Sequence, residues 1–271
     1  MSSQPDSLRD WLSRTASAGY VAKGIIYFAI GWLALLTTIG LGGSESGTSE
    51  VIQKIATWPF GSVLLVLLGI GLVAYVLWRL AQAFFDTEEK GNDVKGWAAR
   101  AGFAISGLIY TGLAWKCTTL VFNSFSSSQG SSNSERTQTL LGIPGGRWVL
   151  AAIGLAFIAV GVHQLYRAWT RAYRKNWHLD KRPNPPLPLL EGIARLGLAA
   201  RGVTFVIIGI LIGIAAWQLS PSRVQGLGGV LDMLAKQPFG DWILGFVAVG
   251  LIAYGGYCFI NAGYRRVGNL N

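Results

Sequence analysis

Six stretches of the chain hold no more than one charged residue apiece: residues 21–41, 61–83, 102–122, 148–168, 198–219 and 241–262. Each approaches the roughly 20 apolar residues with which an α-helix crosses a hydrocarbon core about 30 Å thick. Between the first and second stretches, and again between the fifth and sixth, the apolar pattern is shorter. Val51, Ile52 and Ile55, and likewise Val230, Leu231 and Leu234, fall on one face of a short helix. A proline follows each, Pro59 and Pro238, expected to end the short helix and to occupy the first turn of the next span. Near the start, Leu8, Trp11 and Leu12 share a face within Ser7–Arg14, which predicts a separate short helix in the membrane interface. The fold class expected from this pattern is an all-α integral membrane protein with six transmembrane helices.

The six spans read as three copies of one unit. AGYVAKGIIYFAIG (Ala18–Gly31), AGFAISGLIYTGLA (Ala101–Ala114) and LGLAARGVTFVIIG (Leu196–Gly209) align without gaps. Gly19, Gly102 and Gly197 coincide, then Lys23, Ser106 and Arg201, then Gly24, Gly107 and Gly202. Tyr27, Tyr110 and Phe205 follow, and Gly31, Ala114 and Gly209 close the pattern. On the returning span, GLVAYVLWR (Gly71–Arg79) matches AFIAVGVHQ (Ala156–Gln164) and GLIAYGGYC (Gly250–Cys258). The short-helix segments Val51–Gly61 and Val230–Gly240 also match, with Arg136–Gly146 a looser third.

Two spans per unit keep all three units in one orientation, unlike the inverted repeats of many secondary transporters. Three parallel helical hairpins in a pseudo-threefold bundle are therefore expected, a row of hairpins being the alternative. The divisions are an N-terminal segment 1–17, repeat 1 at 18–85, a linker 86–97, repeat 2 at 98–170, a basic Pro-rich linker 171–192, repeat 3 at 193–266 and a tail 267–271. The prolines of the second linker favour extended chain. The Ser-rich run Asn123–Glu135 reads as a loop.

Composition and charge sharpen this picture. With 51% hydrophobic and 13% charged residues, the 271-residue chain is too apolar for an ordinary soluble protein. Its net charge of +10 would suit nucleic acid, but the distribution speaks for topology instead. On the side of the termini and of the linkers after spans two and four lie 17 Lys and Arg, against 5 on the other side. The positive-inside rule then places both termini in the cytoplasm. Nucleic acid is not an expected partner.

The candidate chemistry is sparse. Glycines mark close helix approach in lipid. Gly19, Gly24, Gly31, Gly102, Gly107, Gly197, Gly202 and Gly209 are accordingly read as hairpin-packing positions, with Tyr27, Tyr110, Tyr75 and Tyr254 beside them. Tyr27 and Tyr75 are expected to meet within their hairpin. Lys23 and Arg201, with Arg79 and Arg167, form one layer of cations near the cytoplasmic end, and no acidic residue lies inside the spans to pair with them, Asp241 standing at a span's edge. Such cations are expected to snorkel to the headgroups, as ordinary positive flanks or as sites for anionic lipid. Lys116 is expected to snorkel outward. His163 aligns with Trp78 and Tyr257, positions suited to an interfacial aromatic belt. Cys117 and Cys258 fall at opposite ends of the bundle, too distant for a disulfide. Neither a nucleophile–base pair, nor a phosphate loop, nor a metal-ligand cluster is evident, so no catalytic residue, metal or cofactor is assigned.

AGYVAKGIIY of the first copy, ARAGF (Ala99–Phe103) and ARLGL (Ala194–Leu198) resemble the signature of a bacterial membrane family, the domain of unknown function 1206 family. The resemblance covers essentially the whole chain and implies three two-helix units. It departs at Ser17, where the other copies have Arg100 and Arg195, and at Ser106, where a cation would be usual. The reading is of a non-enzymatic, lipid-interacting scaffold or accessory subunit in a bacterial inner membrane or another internal one, its partners anionic headgroups on the cytoplasmic side and a membrane protein. A small-solute channel or transporter is the alternative.

Overall fold

A computed structural model of the chain describes residues 6–41, 47–85, 91, 93–122, 145–177, 186–218 and 227–264. These residues form α1 (Asp6–Thr38), α2 (Thr48–Ala56), α3 (Gly61–Phe85), α4 (Val94–Phe122), α5 (Gly146–Thr170), a 3-10 turn (Ala172–Asn176), α6 (Leu187–Gln218), α7 (Leu227–Ala235) and α8 (Gly240–Tyr264). The six long helices are each long and apolar enough to cross a membrane. Ser7–Arg14 is not a separate helix: no proline or turn residue interrupts it, and it runs into the first span as part of α1. The second linker is likewise shorter than expected, because α6 begins at Leu187 and takes Pro188 into its first turn, where no backbone N–H is needed. The Ser-rich run and nearly all of Arg136–Gly146 lie outside the described residues.

The long helices follow one another in the spatial order α4, α3, α1, α8, α6, α5. Hairpin partners pack in repeats 1 and 3, as α1 with α3 and α6 with α8. The broadest interfaces run between repeats: α1 with α8, α3 with α4, and α5 with α6. The row is bent into a horseshoe, since Lys23 of α1 lies over the Tyr110 ring of α4 and Arg201 of α6 over the Tyr27 ring of α1. It stays open at one junction. Among the described residues the two spans of repeat 2, α4 and α5, form no packed interface with each other.

Side-chain size explains where the horseshoe closes. Without a hydrophobic gain between helices in lipid, close backbone approach supplies the packing energy. At the α1/α8 crossing a Cβ on Gly31 would lie 2.7 Å from the Ala248 carbonyl oxygen, and at α5/α6 one on Gly209 would lie 2.6 Å from that of Gly154. Gly24, Gly31, Gly202 and Gly209 thus serve contacts between repeats, where hairpin packing was expected. Within hairpins, Gly19 and Gly197 admit the backbones of Tyr75 and Tyr254, and Gly71 and Gly250 face Ala22 and Ala200. Repeat 2 has Ile105 where the others have Ala22 and Ala200, and Ala156 where they have glycine. The small residues through which the other two hairpins pack are therefore missing between α4 and α5. Gly102 consequently meets nothing within 4 Å among the described residues, and the packing role assigned to it is not realised. Ile105 and Val160 are left 60% and 46% exposed.

At the end away from the chain termini, α2 and α7 tuck Val51, Ile52, Ile55, Val230 and Leu231 into the bundle. Each leads into its span through the same Pro-Phe-Gly turn, with Phe60 and Phe239 in the left-handed region at φ 62° and 60°. Pro59 and Pro238 therefore sit in the turn itself, and the helices start two residues later at Gly61 and Gly240. Those glycines abut the carbonyls of Ile55 and Ala235, leaving no room for a side chain. At the opposite end the repeats share another device. Ser17 donates to the Ala262 carbonyl at 2.7 Å and Arg100 Nε to that of Ala83 at 2.7 Å, matching positions near the ends of α8 and α3. Carbonyls in the last turn of a helix lack intrahelical partners. Ser17 thus does with a short arm what Arg100 does with a long one.

Candidate functional site: a cation layer held by tyrosines

Lys23 stands about 22 Å along α1 from Thr38, at about 1.5 Å per residue. In a hydrocarbon slab of about 30 Å that is roughly 8 Å inside the edge nearest the termini. The side chain does not snorkel. It is 3% exposed, enclosed by the helices flanking α1, with Nζ donating to the Tyr75 hydroxyl at 3.1 Å. The rings of Tyr75, Tyr110 and Tyr254 surround the ammonium at 5.1, 5.4 and 5.6 Å.

The other three sequence-assigned cations also find phenols. Arg201 Nε donates to the Tyr27 hydroxyl at 3.1 Å, its guanidinium lying over Phe205 at 4.2 Å and Tyr254 at 4.8 Å. Arg79 Nε donates to Tyr75 at 2.9 Å and Nη1 to Gln82 Oε1 at 2.9 Å. Arg167 Nη2 donates to the Tyr257 hydroxyl at 2.9 Å. Lys23, Arg201 and Arg79 converge on one aromatic cluster, while Arg167 joins its rim through Tyr257. The tyrosines pair across repeat boundaries, Tyr27 edge-on to Tyr254 at 4.7 Å and Tyr75 to Tyr110 at 4.6 Å. The expected Tyr27–Tyr75 meeting inside one hairpin is replaced by these, because the glycine crossings bring neighbouring repeats closer.

The repeat register shows what the cation requires. Lys23 goes with Tyr75 in repeat 1 and Arg201 with Tyr254 in repeat 3, whereas repeat 2 has Ser106 and Val160. Cation and phenol are present together or absent together. Among the described residues no carboxylate pairs with Lys23 or Arg201; ion pairs elsewhere include Arg171 and Arg174 with Glu191, and Lys236 with Asp232. A desolvated cation over a ring gains about 2 kcal/mol, less than the several kcal/mol that burying an ion costs. The cluster therefore presents positive charge that an anion would offset.

Several polar residues of this layer escaped the sequence reading. Gln164 aligns with Arg79 and is 4% exposed, and its Nε2 has no acceptor among the described residues. Asn261 Nδ2 donates to the Tyr257 carbonyl at 2.7 Å. A signal existed: Arg79 and Gln82 in repeat 1 become Gln164 and Arg167 in repeat 2, the pair exchanged in order. Below the layer, the 3-10 turn inserts Tyr173, fully buried, against Tyr257 with ring centroids 6.1 Å apart. Its hydroxyl donates to the Glu191 carbonyl at 3.3 Å. Burial, and then the Glu191 carboxylate, push the Tyr173 phenol above its ordinary range.

Trp78 and Tyr257 are buried and not part of an interfacial belt, because packed helices cover their faces; His163, at the same position on the open side of α5, is exposed. Lys116 bonds Ser49 of α2 at the end of the bundle away from the termini. Cys117 and Cys258 are free and buried.

The Domain of Unknown Function (DUF1206) family matches the chain three times, at residues 18–86, 101–171 and 196–265, once per repeat. The Uncharacterized protein YxxB of Bacillus subtilis (strain 168) is 32% identical over 267 residues, covering 98% of this chain and 96% of that protein. No solved structure matches. With the family's unit present in each of its three hairpin repeats, this chain of six long apolar helices belongs to the DUF1206 family.

Proposed function

We propose that this protein is a non-enzymatic membrane scaffold or accessory subunit that binds anionic lipid headgroups at the layer formed by Lys23, Arg201, Arg79 and Arg167. The observation that carries the reading is the enclosure of Lys23 and Arg201 among phenols with no carboxylate partner among the described residues. A lipid phosphate drawn inward from the headgroup layer is the acceptor that a membrane can supply to these cations, and each cation near an anionic leaflet contributes about 1 kcal/mol. The excess of Lys and Arg around the termini supports a cytoplasmic location for this face, in a bacterial inner membrane. Packing favours a scaffold over a conduit for small solutes: Ile26, Ile30, Leu72, Tyr75 and Leu251 are wholly enclosed, and α2 and α7 fill the far end of the bundle.

The test is native mass spectrometry of the protein purified in mild detergent, comparing wild type with Lys23→Ala/Arg201→Ala. Discrete anionic lipid adducts that weaken about thirtyfold in the double variant are expected from the loss of two cations. Adducts indifferent to the substitutions, or none at all, overturn the reading and direct attention to solute flux in liposomes.

A further inference from the structure

The cation layer poses a problem of access. Arg201 stands about 25 Å along α6 from Gln218, which puts it, like Lys23, some 5 to 8 Å inside the hydrocarbon edge. A phosphate reaching that depth draws its acyl chains down with it, and those chains need room within the protein's outline. Among the described residues, the junction where α4 and α5 fail to pack offers such room. The residues that would close it in the other repeats stand exposed there: Gly102 and Ile105 on α4, and Ala156 and Val160 on α5. All four are apolar. Of the layer's three partly exposed arginines, Arg201 and Arg167 belong to the helices on one side of this junction and Arg79 to α3, on the other. Apolar walls leading to cations describe an amphiphile with an acidic head.

We propose that the α4/α5 seam is a lateral portal, through which an acidic glycerophospholipid enters from the bilayer, one acyl chain between Gly102, Ile105 and Val160 and its phosphate on Arg201 and Arg167. This rests on the lipid reading above and adds the route and the orientation. It also gives the divergence of repeat 2 a role. Ile105 and Val160 stand where the closed hairpins have the packing alanines and tyrosines, and Ser106 leaves its cation position uncharged, so the degenerate repeat leaves the opening and the other two make the site.

The experiment uses the full chain in nanodiscs of dioleoylphosphatidylcholine containing dioleoylphosphatidylglycerol, with retained phosphatidylglycerol counted by native mass spectrometry after release into detergent. Two seam variants are compared with Arg201→Ala. Gly102→Trp fills the gap, and Ile105→Ala/Ala156→Gly/Val160→Tyr restores the contacts of repeats 1 and 3 so that α4 and α5 close. Because the altered residues are exposed, size-exclusion behaviour and helicity should stay as in wild type. Both seam variants and Arg201→Ala are expected to lose phosphatidylglycerol by about tenfold in affinity. Seam variants that bind like wild type while Arg201→Ala does not would overturn the portal and leave the lipid site standing. Binding unaffected by Arg201→Ala, or absent in wild type, would overturn both. As a second readout, Val160→Cys should react more slowly with a membrane-permeant maleimide in phosphatidylglycerol discs than in pure phosphatidylcholine, and an equal rate in both counts against the portal.

Discussion

The hydroxyl of Tyr75 accepts from both Lys23 and Arg79, so two cations depend on one phenol. Tyr75→Phe keeps the ring and removes the acceptor, and a buried donor left unpaired costs about 1–3 kcal/mol. A lowered midpoint in a detergent thermal-shift assay is expected. Lys23→Met/Tyr75→Phe should cost less than the two single changes together, because residues in one network are not additive; strict additivity would show that Lys23 does not rely on Tyr75. Tyr173 yields a pH prediction. Its folded pKa is raised above the unfolded value, so its contribution is complete below the ordinary tyrosine range near pH 10 and is lost as pH rises through the folded value. Thermal midpoints recorded from pH 8 to 11 should fall more steeply in wild type than in Tyr173→Phe, and parallel curves would remove Tyr173 from the account.

Between elements, the same substitution is expected to have opposite signs at equivalent glycines. Gly209→Ala places a methyl against the Gly154 carbonyl of the neighbouring helix, an overpacking that costs about 1–3 kcal/mol. Gly102→Ala meets open space among the described residues and, by helix propensity, is neutral or stabilising by up to about 1 kcal/mol. Urea or thermal unfolding of the two variants in one detergent checks the pair, and equal effects would mean that α4 and α5 do pack. The repeated motif made both positions legible as packing glycines. It could not show that one of them had lost its partner, because that follows from Ile105 and Ala156, residues unremarkable on their own helices.

For the molecule as a whole, the direction of insertion is the consequence with the widest reach. With Cys117 and Cys258 replaced by Ala, single cysteines at Trp58 and at Arg171 should report opposite faces of the membrane. Trp58→Cys should react with an impermeant maleimide in intact cells and Arg171→Cys only after permeabilisation. The reverse pattern would place the chain termini outside and the cation layer in the outer leaflet. In the native chain both thiols are buried, so neither should react until the bundle unfolds.

The six spans, the threefold repeat and the amphipathic seating of α2 and α7 follow from the sequence alone. A hydrocarbon core rewards long apolar runs, and duplication leaves the same residues at fixed offsets. The sequence also marked Lys23, Arg201, Arg79 and Arg167 as one layer. Whether those cations reach water or turn inward was decided by tertiary structure, since a lysine's direction depends on which neighbouring helices enclose it. So was the opening between α4 and α5, where two spans adjacent in the chain are separated because the small residues that would bring them together stand elsewhere.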